Sequence, residues 1–97
     1  MTVEKTMDGS TAVLRLKGWL DTQNAPVLAE ALNGLDDGVE KLVLDMEKLE
    51  YISSAGIRQI VTAYKEMNGA LTLKKLSTEV ASVLHMTGLD KKLSIES

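Results

Sequence analysis

Apolar residues in this chain repeat with a period of two in some segments and close to 3.6 in others, and the two kinds of segment take turns along the sequence. That pattern calls for strands interleaved with helices. A strand turns every second side chain to one face, whereas a helix turns every third or fourth.

Residues 3–7 set Val3, Lys5 and Met7 against Glu4 and Thr6, and Asp8-Gly9 follows as the expected hairpin turn before a second strand at residues 12–17. There Ala12, Leu14 and Leu16 point one way and Val13, Arg15 and Lys17 the other, up to Gly18-Trp19-Leu20-Asp21. Ala25, Leu28, Ala29, Leu32 and Leu35 share one helical face, with Asn24 as the expected N-cap, Pro26 in the first turn and Asp36-Asp37-Gly38 as the end. A strand is expected at residues 41–45, then a helix carrying Ile57, Ile60, Val61, Tyr64 and Met67 up to Asn68-Gly69. Residues 70–74 alternate again. Ser77-Thr78-Glu79 opens a third helix with Val80, Val83 and Leu84; Gly88 follows it in the left-handed C′ position, with Leu89 folding back on Leu84. Leu93-Ser94-Ile95 reads as a last short strand.

Strands alternating with helices imply parallel pairing through right-handed crossovers. The expected fold is α/β: an open, mostly parallel sheet of about five strands in the order 1-2-3-4-5, the first antiparallel. One-sided alternation places three helices mainly on one face, since a sheet covered on both sides reads as continuous apolar runs. The expected core is Leu14, Leu16, Leu28, Leu32, Leu42, Leu44, Ile57, Ile60, Val61, Leu71, Leu73, Val83 and Leu84. Phe is absent and Trp occurs once, so aliphatic residues must build it. The 97 residues fit one domain, 1–97, with no linker.

Several functions are disfavoured. The net charge is −3 and the basic residues are scattered, so direct nucleic-acid binding has no electrostatic footprint. Without cysteine there is no disulfide, thiolate metal site or cysteine nucleophile. No apolar run approaches the ~20 residues of a membrane span, and the N-terminus lacks signal-peptide character; a cytoplasmic protein is expected. Phosphate-loop, dinucleotide and zinc-protease motifs are absent. The lone His85 reads as a packing or surface residue, and Asp36-Asp37 and Glu47/Glu50 as solvated carboxylates. No catalytic residue, metal site or cofactor is expected.

The informative segment is Tyr51-Ile52-Ser53-Ser54-Ala55-Gly56-Ile57-Arg58, which follows a parallel strand and opens a helix. Ligands and partners of open α/β sheets use this end of the strands, and a helix N-terminus suits a phosphate. Ala55 and Gly56 are small and are expected to let another surface approach. A serine before a helix ordinarily caps it. Two serines leave room for one cap and one exposed hydroxyl, without deciding which is which. Trp19, on the Lys17 side of its strand, is expected to be partly exposed near this end.

At this segment the chain resembles the STAS-domain anti-sigma factor antagonists of bacteria. Their phosphorylation loop commonly reads Asp-Ser-x-Gly, and here the turn reads Ser53-Ser54-Ala55-Gly56. Gly18-Trp19-Leu20-Asp21, Leu44-Asp45 and Thr87-Gly88-Leu89 match further family motifs in order. The resemblance implies a STAS-like fold and a non-enzymatic transcription regulator, expected as a monomer. It implies a partner that is both an anti-sigma factor and a serine protein kinase. It also implies phosphorylation at Ser54, with Ser53 as second choice. The implied docking face holds Trp19, Asp21, Thr22, Asn24, Ser53, Ser54, Ala55, Gly56 and Arg58. A different class of function is a constitutive STAS interaction module, such as a subunit of a transporter complex, in which both serines serve only the helix.

Overall fold

A computed structural model describes residues 1–96. The elements follow the expected order: β1 (Thr2–Asp8), β2 (Thr11–Leu20), α1 (Ala25–Asn33), β3 (Lys41–Ile52), α2 (Ser54–Glu66), β4 (Leu71–Lys74), α3 (Thr78–Thr87), a 3₁₀ turn (Leu89–Lys91) and β5 (Ser94–Glu96). The strands form one sheet in the order β1-β2-β3-β4-β5. β1 is antiparallel to β2, and every other pairing is parallel.

The register explains the one-sided core. Leu14 stands opposite Leu44, Leu42 opposite Leu71 and Leu44 opposite Leu73. This leucine face is fully buried beneath Leu28 of α1, Ile60 of α2, and Val80 and Leu84 of α3. On the reverse face Arg15, Lys17 and Glu47 are exposed.

Some local expectations shift. Asp8 pairs with Thr11, so Gly9 and Ser10, rather than Asp8 and Gly9, form the hairpin turn. Gly9 takes φ +63°, which suits a first central residue in a tight hairpin. The first helix ends at Asn33, and Leu35 packs on the core from beyond it. β5 starts one residue later than expected.

The largest difference is β3, which continues to Ile52 instead of ending at Asp45. Its buried residues are Leu42, Leu44, Met46, Leu49 and Ile52; the spacing changes from two to three at the end. The β2–β3 register slips twice, between Arg15 and Lys17 and between Gly18 and Trp19. Each slip takes an extra residue into β3, as a β-bulge does. The strand therefore keeps its inward face while losing its period of two.

The core is also redistributed. Ile57, Val61 and Val83, expected inside, are only partly buried. Ala12, Leu20, Met46, Leu49, Ile52 and Val80 are buried in addition. α3 has the expected ends: Ser77 Oγ accepts from the Val80 amide at 3.2 Å, and Gly88 closes it at φ +77°. His85 is mostly exposed, with Nδ1 2.8 Å from Asp90 Oδ2. No helix among the described residues is long and apolar enough to cross a membrane.

Candidate functional site

The C-terminal ends of β2 and β3 carry two turns side by side. The Ser53 amide donates to the Leu20 carbonyl at 2.9 Å, which ties the start of α2 to the end of β2. Trp19, Asp21, Ser53 and Ser54 are thereby gathered at one end of the sheet.

The two serines have different roles. Ser53 is extended, at φ −103° and ψ 177°, and its Oγ accepts from the Gly56 amide at 3.4 Å. It is the N-cap, satisfying one of the amides that a helix start leaves unpaired. Ser54 is the first residue of α2 and is exposed, and its hydroxyl makes no hydrogen bond among the described residues. Ser54 Oγ is thus an accessible hydroxyl beside a helix N-terminus, where the helix dipole favours negative charge. Arg58, one turn further along α2, is exposed and forms no ion pair among the described residues.

Gly56 is small for a different reason than the sequence suggested. It is buried, and a β-carbon there would lie 2.7 Å from both Cγ and O of Leu20 and 2.9 Å from Cγ1 of Ile52. The surface that closes on Gly56 is the chain's own sheet. Ala55 is half-buried.

At the neighbouring turn, Asn24 occupies the N-cap position of α1, but its side chain makes no capping bond. Asp21 does the work instead. Its Oδ1 accepts from the Asn24 amide at 3.0 Å and from Asn24 Nδ2 at 3.1 Å, and its carbonyl accepts from the Ala25 amide at 2.8 Å. The Asp21 carboxylate is committed inside the turn, while Thr22 is exposed on its outside.

Trp19 is 56% exposed, as expected from its strand parity. Tyr51, which is not among the docking residues implied by the resemblance, is 48% exposed and stands opposite it. The ring centroids are 5.6 Å apart with planes tilted by 47°. Only the register shifts put Tyr51 there. Its own strand shows no regular alternation to announce it. Among the described residues no group of His, Asp and Glu side chains converges as a metal site.

The STAS domain family model matches residues 2–97. A protein of Bordetella bronchiseptica, BtrV, whose assignment as an anti-sigma factor antagonist is itself provisional, is 36% identical over 77 residues. The match covers 75% of this chain and 66% of that protein, so the chain spans just under two thirds of that curated relative. The fold is similar to an anti-sigma factor antagonist from Mycobacterium paratuberculosis, with a TM-score of 0.89, 22% identity, and coverage of 98% of this chain and 84% of that one. It is also similar to the anti-sigma factor antagonist SpoIIAA in its unphosphorylated form, with a TM-score of 0.80, 20% identity, and coverage of 99% and 89%. SpoIIAA from Bacillus in its phosphorylated form gives a TM-score of 0.67 at 20% identity, covering 99% and 92%.

Proposed function

The chain belongs to the STAS domain family, and from that premise we propose that it is an anti-sigma factor antagonist switched by phosphorylation at Ser54. Unphosphorylated, it binds a serine kinase that is also an anti-sigma factor, and the sigma factor is released. Phosphorylation ends the binding. The domain acts as a bacterial cytoplasmic regulator and carries out no chemistry of its own.

The observation that carries this reading is the division of labour between the two serines. Ser53 is engaged as the cap, while Ser54 is exposed and unengaged beside the same helix start. A kinase acting on Ser54 leaves the cap intact. The product phosphate, carrying about −1.5 to −2 charges, meets a favourable helix end worth roughly 0.3–1 kcal/mol. Arg58 is within one helical turn for a charge-assisted hydrogen bond. The fold therefore tolerates the modification, and its effect falls on the partner, whose surface closes over bare Ser54, Ala55 and Thr22 without room for a phosphate.

The test is incubation with ATP and serine kinases of the anti-sigma factor class encoded near this chain's gene. Mass spectrometry locates the phosphate, and binding isotherms follow. Phosphate on Ser54, tight binding by Ser54→Ala and weak binding by Ser54→Asp support the reading. Phosphate on Ser53, or equal binding by Ser54→Asp and the unmodified domain, overturns it. The second result leaves both serines with only a helix to serve.

A further inference from the structure

On the sheet face that carries no helix, the ends of β2 and β3 present two successive rows of side chains. Trp19 stands opposite Tyr51, and one step back Lys17 stands opposite Lys48. The rings are about half exposed, and both lysines are exposed. The lysines line an open depression of about 370 Å³ that runs on to Arg15 and Lys75. Arg15 there is paired with Asp45 at 3.8 Å, and Lys75 with Glu47 at 3.7 Å. Neither Lys17 nor Lys48 has an ion-pair partner among the described residues.

Two like charges stand opposite each other on neighbouring strands, and beside them two large aromatic rings sit half in water. The chain carries a net charge of −3, yet this depression is lined by four cations and three carboxylates. The lysine row lies just beyond the first register slip of β2 and β3 and the aromatic row just beyond the second, and bulges re-aim side chains beside functional sites.

A small ligand suits the place poorly. Small-molecule pockets are concave and mostly apolar, whereas charged side chains line most of this depression. The rings, with centroids 5.6 Å apart and planes tilted by 47°, leave no parallel slot for a planar group. An aromatic anchor at the centre and charge at the rim is the anatomy of a protein interface.

We infer that the partner which reads Ser54 also closes over Trp19 and Tyr51 with an aliphatic socket and sets carboxylates opposite Lys17 and Lys48. The inference rests on the reading of Ser54 as a docking point, and it states what the partner's surface is made of. It also accounts for release. Ser54 follows Tyr51 by three residues, a span of at most ~10 Å at ~3.3 Å per residue. A phosphate there stands at the rim of the aromatic socket, where a charge left without a partner would have to be desolvated for the socket to close, so the modification opposes docking without disturbing the fold.

The test titrates the purified kinase identified by phosphorylation of the domain, at roughly 50 and 500 mM salt, where screening differs strongly. The proteins are the unmodified domain, Trp19→Ala, Tyr51→Ala, the double variant Lys17→Glu/Lys48→Glu, and Ser54→Asp, each with a melting curve. The double variant is expected to bind about tenfold or more weakly at low salt, with the deficit shrinking at high salt. Trp19→Ala is expected to lose about tenfold or more at both salts. If the lysine and aromatic variants bind like the unmodified domain while Ser54→Asp binds weakly, the inference falls and the Ser54 reading stands. If those variants fail while Ser54→Asp binds normally, the Ser54 reading falls and the open-face surface stands. If no such kinase binds the unmodified domain, both fall.

Discussion

Gly56 rests directly on Leu20: a β-carbon at position 56 would come within 2.7 Å of the Leu20 carbonyl oxygen. The same carbonyl accepts the Ser53 amide at 2.9 Å. The close approach of α2 to β2 and the placement of the serine turn are therefore one feature. Gly56→Ala is expected to push the helix start away from the sheet, at a cost of about 1–3 kcal/mol. A denaturant midpoint unchanged from the unmodified domain would show that the helix has room to give.

The two serines should separate cleanly in stability measurements. Ser53→Ala removes the bond to the Gly56 amide and is expected to cost about 1 kcal/mol, within the usual range for a lost N-cap. Ser54→Ala, at an exposed position without a hydrogen bond among the described residues, is expected to stay within about 0.5 kcal/mol of the unmodified domain. Chemical denaturation of both variants checks the pair, and equal losses would contradict the assignment of roles.

Leu44 is fully buried, flanked by Leu14 on one side and Leu73 on the other. Leu44→Ala leaves a cavity between rigid strands, and the expected loss is roughly 2–5 kcal/mol. Urea titration measures it directly. A midpoint close to that of the unmodified domain would place the centre of the core elsewhere.

The single tryptophan reports on the open face. Trp19 is 56% exposed, so its emission in the free domain is expected at long wavelength and open to quenching by iodide or acrylamide. Binding of the partner should move it to the blue and protect it. Emission that is already blue-shifted and insensitive to quencher in the free domain would contradict the exposed placement.

Much of this architecture is legible in the residues because its causes are local. Alternation in β1, β2 and β4 and the 3.6 period of α2 follow from side-chain direction alone. Ser77 and Gly88 mark the ends of α3 because a short hydroxyl and a missing β-carbon are what those ends need. Trp19 is exposed because strand parity puts it on the side of Arg15 and Lys17.

What the tertiary structure alone decided comes from pairing between distant segments. Nothing in residues 46–52 announces that β3 runs on to Ile52, since two register slips against β2 break its period; a slip belongs to the pair of strands and not to either sequence. Those slips bring Tyr51 opposite Trp19. The choice between Ser53 and Ser54 as cap was likewise open in the sequence, where both precede the helix. It is settled by the bond between the Ser53 amide and Leu20. That bond holds Ser53 extended, so its hydroxyl faces the Gly56 amide and Ser54 starts the helix in solvent. Gly56 could be read from sequence as a small residue, but its tight contact with Leu20, more than thirty residues away, exists only once the two strands lie side by side.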